Sequence, residues 1–241
     1  MTILKPYQTS FLPQAVSPPP TPSSVYTNYF PVRLWGGGEW HLPLRQLSPD
    51  LAIALIVTSQ LSHHVLTTIV EKLVQRIEFY ERETGKRIGT IAGIAKLGYV
   101  LGQKASELLG HDSWAPIDSS QKVWYLPDLS APATSITTAE KGKMMYLDPY
   151  LQSRVQERIV ALVDDALCTG NSALAAIRVL QAGGAKEIIC FPLVTEGHQW
   201  KETLRGVGLN PQTQVFTLGH LPMFQPNSDI TEGWTPIPNT L

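Results

Sequence analysis

Cysteine is scarce in this chain, with only Cys168 and Cys190 among 241 residues. Two thiols are too few for a disulfide framework or a zinc site. Net charge is scarce as well: 19 Lys and Arg stand against 20 Asp and Glu, and the basic residues are dispersed, so no electrostatic footprint for nucleic acid exists. Long apolar runs are missing; the longest, Leu51 to Val57, is far too short to cross a bilayer. The first thirty residues lack the basic-then-apolar order of a secretory signal. These absences point to a cytoplasmic chain with neither a membrane nor a nucleic acid as partner. Its length fits one α/β domain with appendages.

What is present centres on one stretch. The apolar run Ile159 to Val163 is short and rich in β-branched residues, and it ends in Asp164 and Asp165, so it reads as a buried strand whose carboxyl end meets solvent. Small and polar residues follow to Ser172, and then Leu174, Ile177, Val179 and Leu180 recur at helical spacing. Strand, polar turn and helix together make an anion cradle, because the first amides of a helix are unpaired donors at the positive end of its dipole. Thr169, Asn171 and Ser172 add side-chain donors, and Gly170 allows close backbone approach. The carboxylates repel the same anion, so they face sugar hydroxyls or a divalent cation instead. No Gly-Lys-Ser/Thr triplet marks a P-loop, and one glycine does not make a dinucleotide fingerprint.

Apolar residues, an acidic pair and a Thr-Gly loop resemble the 5-phosphoribosyl-1-pyrophosphate (PRPP) motif of type I phosphoribosyltransferases. The layout is most similar to the adenine and xanthine branch. The resemblance implies an α/β fold, a parallel sheet flanked by helices under a small N-terminal hood. It implies that Asp164 and Asp165 bind the ribose hydroxyls and act in catalysis. Ala166, Leu167, Cys168, Thr169, Gly170, Asn171 and Ser172 would then form the 5-phosphate loop. Magnesium is implied as a cofactor carried with PRPP, with Asp164 and Asp165 the carboxylates nearest to it.

The rest of the chain is read around that motif. Residues 1–28, rich in Pro and Ser, read as a disordered tail. Trp35 to Trp40 encloses three glycines and suggests a hairpin, part of a hood over about 29–60. Leu51 to Val57 reads as a strand or a buried helix start, and Leu61 to Val74 as a helix with Leu66, Ile69, Val70 and Leu73 on one face. His63 and His64 are adjacent, about 100° apart on a helix, and make a poor metal pair. Ile88 to Gly110 reads as strand, loop and helix with a glycine cap; its loop, Ala95, Lys96, Leu97 and Gly98, stands where the family binds pyrophosphate. Trp114 to Tyr125 looks like the next strand. The polar stretch over about 126–147 resembles the family's mobile loop, with Lys122, Ser135 and Thr137 carried over to it. Glu187 to Val194 and Val215 to Leu218 read as further strands, and 222–241 as a C-terminal arm. Ser59, Gln60 and Glu196 stand where related enzymes contact the base.

Two functions follow as expectations. The first is a phosphoribosyltransferase that moves the phosphoribosyl group of PRPP to a purine-like base, with a homodimer implied by the family. The alternative is a PRPP- or nucleotide-binding regulator that has lost catalysis, motivated by Gln121-Lys122 standing where the family has an Arg-Lys pair.

Overall fold

The computed structural model describes residues 9–133, 144–228 and 233–241. The N-terminal part builds an antiparallel sheet from β1 (Ser10–Leu12), β2 (Tyr29–Arg33), β3 (Glu39–Ser48) and β4 (Leu51–Ala54). Arg33 pairs with Glu39 across the hairpin, and Gly36, Gly37 and Gly38 turn the chain with φ of 70°, 89° and 94°, a region open to glycine without steric cost. Order reaches into the Pro- and Ser-rich stretch that composition reads as a disordered tail. There β1 pairs with β3, and the Ser17 amide and hydroxyl donate to the Glu39 carboxylate at 2.9 and 2.8 Å. Glu39 is 0% exposed, and a buried carboxylate needs donors. This demand comes from the fold rather than from local composition.

Helix α1 (His63–Thr84) starts at Ser62, whose hydroxyl accepts from the Val65 amide, and ends at Gly85 in the left-handed region. Its apolar face continues past Val74 through Ile77 and Tyr80, so the helix runs ten residues beyond the expected stretch. That face joins Phe30, Trp40 and Leu42 of the hood to Ile91, Val163 and Phe191 of the main sheet in one core.

The main sheet is assembled from β5 (Thr90–Ile94), β6 (Ala115–Asp118), β7 (Ser130–Pro132), β8 (Met144–Leu147), β9 (Ile159–Leu167), β10 (Glu187–Glu196) and β11 (Gly219–Leu221), in the order β11-β10-β9-β5-β6-β8-β7. Helix α2 (Leu97–Leu108) follows β5, α3 (Asn171–Ala182) follows β9, and α4 (Gln199–Arg205) and α5 (Pro211–Gln214) follow β10. The strands from β11 to β6 are parallel, while β8 runs antiparallel to β6 and to β7. The sheet is therefore mixed: the expected parallel strands form its centre, and β8 and β7 add antiparallel pairs at one edge. A second core on the other face packs α3 against residues such as Ala92, Leu162 and Cys190.

Two strand expectations shift. The strand from Trp114 stops at Asp118, because the Asp118 side chain accepts the amides of Ser119 and Ser120 at 2.7 and 3.0 Å and turns the chain. Val123, expected in that strand, is 99% exposed. The last strand of the sheet falls at Gly219–Leu221 rather than at 215–218, where Val215 makes only an isolated bridge to Cys190. Beyond it, β12 (Phe224–Pro226) pairs with β4 and β13 (Trp234–Pro236) with β12, so the C-terminal segment extends the hood sheet. Among the described residues no helix is long and apolar enough to cross a membrane.

Candidate active site

The acidic pair lies where β9 leaves the sheet core. Residues 160–163 are buried, and the strand then continues through Asp164 and Asp165 to Leu167 because β10 stays paired beside it, Pro192 opposite Asp164 and Thr195 opposite Leu167. Ala166 and Leu167 thus belong to the strand, and Asn171 and Ser172 to the first turn of α3. The expected seven-residue loop reduces to a three-residue turn, Cys168, Thr169 and Gly170. Gly170 has φ 82°, and a Cβ there would lie 3.1 Å from Cβ of Thr203. The Thr203 hydroxyl donates to the Thr169 carbonyl at 2.7 Å, so α4 clamps the turn from outside.

The second loop stands beside the first, because Gly93 of β5 is in register with Val163 of β9. Ala95 and Lys96 form the connection, joined by a cis peptide bond, while Leu97 and Gly98 already belong to α2. A Cβ on Gly98 would sit 2.7 Å from the Val163 carbonyl oxygen and 3.3 Å from Asp164 Oδ1. Only a residue without a side chain lets α2 start this close to the carboxylates. The Thr58 hydroxyl donates to the Leu97 carbonyl at 2.6 Å and fastens the hood to the same corner.

The turn after β9, both aspartates and residues 53–56 of the hood line one cavity of about 140 Å³, with Glu196 at its wall. Carboxylates, a helix start and an apolar wall therefore share one space at the carboxyl ends of the parallel strands, where α/β sheets bind ligands.

The family model of the phosphoribosyl transferase domain matches residues 59–217. The chain belongs to this family. An adenine phosphoribosyltransferase of Methylorubrum populi is 28% identical over 137 residues, which cover 56% of this chain and 72% of that protein. Among solved structures, APRTase from Giardia lamblia complexed with 9-deazaadenine gives a TM-score of 0.50 at 18% identity, covering 65% of this chain and 81% of that one. The adenine phosphoribosyl transferase from Trypanosoma brucei in complex with AMP, pyrophosphate and ribose-5-phosphate gives 0.52 at 19% identity, covering 68% and 66%. At these identities the structures establish a shared fold. The resemblance read from the acidic pair is thereby supported across the phosphoribosyltransferase domain, and the purine branch is that of the relatives.

Burial sets the electrostatics of this phosphoribosyltransferase site. It raises the Asp165 carboxyl above its ordinary range, against hydrogen bonds from Asp164 and the backbone. The Asp165 amide in turn donates to Asp164 Oδ1 at 3.0 Å. Burial pushes Glu196 up to about 7, helped by the charge of Asp165 and opposed by a hydrogen bond with Cys168. The Cys168 thiol is pushed to about 12 by burial and by Glu196, and Cys190 to about 12 by burial and by Asp164. Both thiols are therefore protonated and poor nucleophiles at neutral pH.

Not every expected residue gathers here. Ser59 and Gln60 are exposed and do not line the cavity. Lys96 is exposed, and Lys122 points its amine at Asp118 at 3.9 Å, outside the cavity lining. Ser135 and Thr137 lie outside the described residues, as do 134–143 of the expected mobile loop. Conversely, residues 53–56, Cys190 and Pro192 line the cavity, although no local motif marks them for it. The apolar strand that holds residues 53 and 54 was visible in sequence; its position over the acidic pair depends on pairing with β3 and β12.

Proposed function

We propose that this phosphoribosyltransferase moves the phosphoribosyl group of PRPP to a ring nitrogen of adenine or a closely similar purine. The bond between C1 and the pyrophosphate oxygen breaks, a bond between C1 and nitrogen forms, and the nitrogen proton leaves with pyrophosphate as product. The observation that carries the reading is that Asp164, Asp165 and the turn into α3 open on one cavity beside the 95–98 connection. The adenine relatives motivate the choice of base.

In this reading the amides at the start of α3, with Thr169 and Ser172, hold the 5-phosphate, and its remote binding energy fixes the ribose. Asp164 and Asp165 hold the ribose hydroxyls and place negative potential beside the cation that grows at C1. The connection at Ala95, Lys96, Leu97 and Gly98 faces the leaving group. The adjacent carboxylates are a donor set that suits magnesium only in part: among the described residues no group of three or more His, Cys, Asp or Glu side chains gathers for a metal. Asp164 and Asp165 would be the protein carboxylates nearest to an ion carried in with PRPP. When bound, it supplies neutralisation of charge on the departing pyrophosphate.

The test is pyrophosphate release from PRPP and Mg²⁺ with adenine, guanine, hypoxanthine, xanthine, uracil and orotate offered separately. Release with adenine supports the reading, and release only with another base corrects the acceptor. Silence with all six alongside PRPP binding replaces it with the regulator.

A further inference from the structure

The cavity has two walls of different origin. The aspartates, the phosphate turn and the strand ends of the main sheet form one, and Ile53, Ala54, Leu55 and Ile56 of the hood form the other. In the proposed reaction phosphate and ribose occupy the cradle and the carboxylates, so the apolar hood wall is the surface left for the flat faces of an acceptor base. The bond that forms at C1 then spans the gap between the walls, and its geometry depends on what fixes that gap.

Strand pairing does not fix it. The hood strands and the main strands belong to separate sheets, packed together through the core that α1 shares with both. Hydrogen bonds tie them at two ends. On the β11 side, the Trp35 amide donates to the Leu218 carbonyl at 2.6 Å. On the α2 side, Thr58 stands two residues beyond Ile56 and donates its hydroxyl to the Leu97 carbonyl at 2.6 Å. Thr58 is 1% exposed, so no solvent is at hand to replace that bond.

The anchor at Leu97 is itself fixed. The Ala95 amide just before it donates to the Ile117 carbonyl at 3.0 Å, and Gly98 just after it leaves no room for a Cβ against the Val163 carbonyl oxygen. The phosphate turn is held separately, by the Thr203 hydroxyl of α4. Acceptor wall and phosphate cradle thus hang on different side chains.

We propose that Thr58 is a positioning residue for the acceptor base, its bond to Leu97 holding the hood wall at the distance from the ribose site at which the base nitrogen meets C1. The inference rests on the proposed function.

Thr58→Val keeps the branched shape and removes the hydroxyl, whereas Thr58→Ser keeps the hydroxyl. Two quantities are read for each variant: kcat/KM for adenine at saturating PRPP with Mg²⁺, and Kd for PRPP by calorimetry without base. Where wild type accepts another of the six bases, that base replaces adenine. Thr58→Val is expected to lower kcat/KM about fivefold, the worth of one buried hydrogen bond, with the PRPP Kd within about twofold of wild type. Thr58→Ser is expected to restore kcat/KM. An equal weakening of PRPP binding, or a serine variant as poor as the valine one, overturns the proposal. If Thr58→Val fails to fold, Thr58→Cys, a weaker donor of similar size, takes its place under the same outcomes. Active wild type with Thr58→Val unaffected sinks this inference alone. Wild type that binds PRPP and turns over none of the six bases sinks it together with the proposed function.

Discussion

Gly98 and Asp164 sit against one another: a Cβ on the glycine would lie 3.3 Å from the aspartate Oδ1 and 2.7 Å from the backbone oxygen of Val163. The start of α2 and the acidic end of β9 are thus held at a spacing that only glycine permits. Gly98→Val forces the helix away from the strand, with an overpacking cost of about 1–3 kcal/mol. The expected result is a lowered melting temperature and PRPP affinity reduced by at least about tenfold, read by calorimetry. Wild-type affinity in this variant would show that the 95–98 connection does not hold the ligand.

The clamp on the phosphate turn is separable from the chemistry. Thr203→Val keeps the shape of the side chain and removes the hydroxyl that donates to Thr169. Loss of one such bond is worth about 1 kcal/mol. KM for PRPP should rise about fivefold, with kcat near wild type. A fall in kcat at unchanged KM contradicts the clamp.

Stability should also report Glu196. Its folded pKa of about 7 lies above the ordinary 4.5, so between these values the folded state binds more protons than the unfolded chain. Stability is therefore lost as pH rises through this window and levels off above it. Glu196→Gln removes the titration, and its advantage over wild type in urea unfolding should grow from about pH 4.5 to about pH 7, by no more than about 3 kcal/mol. A difference that does not vary with pH refutes the burial of an ionisable carboxyl at this position.

The central strand, acidic pair and helix were legible because their signals are local: a β-branched run, two carboxylates, then Thr169 and Gly170 ahead of a helical repeat. The limits of the turn were not, since Ala166 and Leu167 look like turn residues until β10 pairs with them. The hood was half legible. Its glycine hairpin is local, but Phe224 pairing with Ala52 and Ser10 with His41 join segments that carry no mutual signal in sequence. Glu196 could be placed at a strand end from its neighbours, yet its burial comes from the packing around it. Ser59 and Gln60 match the family's base-contacting positions by place in the chain alone, and they face solvent while Thr58 turns inward to bond Leu97.

The most direct test of the account is nucleotide formation from adenine and PRPP with Mg²⁺, by wild type and by the double variant Asp164→Asn, Asp165→Asn, with product separated and quantified by chromatography. The account predicts AMP with wild type and a loss of at least about a thousandfold in the variant, because the charge that steadies the cation at C1 is gone, while circular dichroism shows an unchanged fold. A double variant that is folded and turns over like wild type would contradict it.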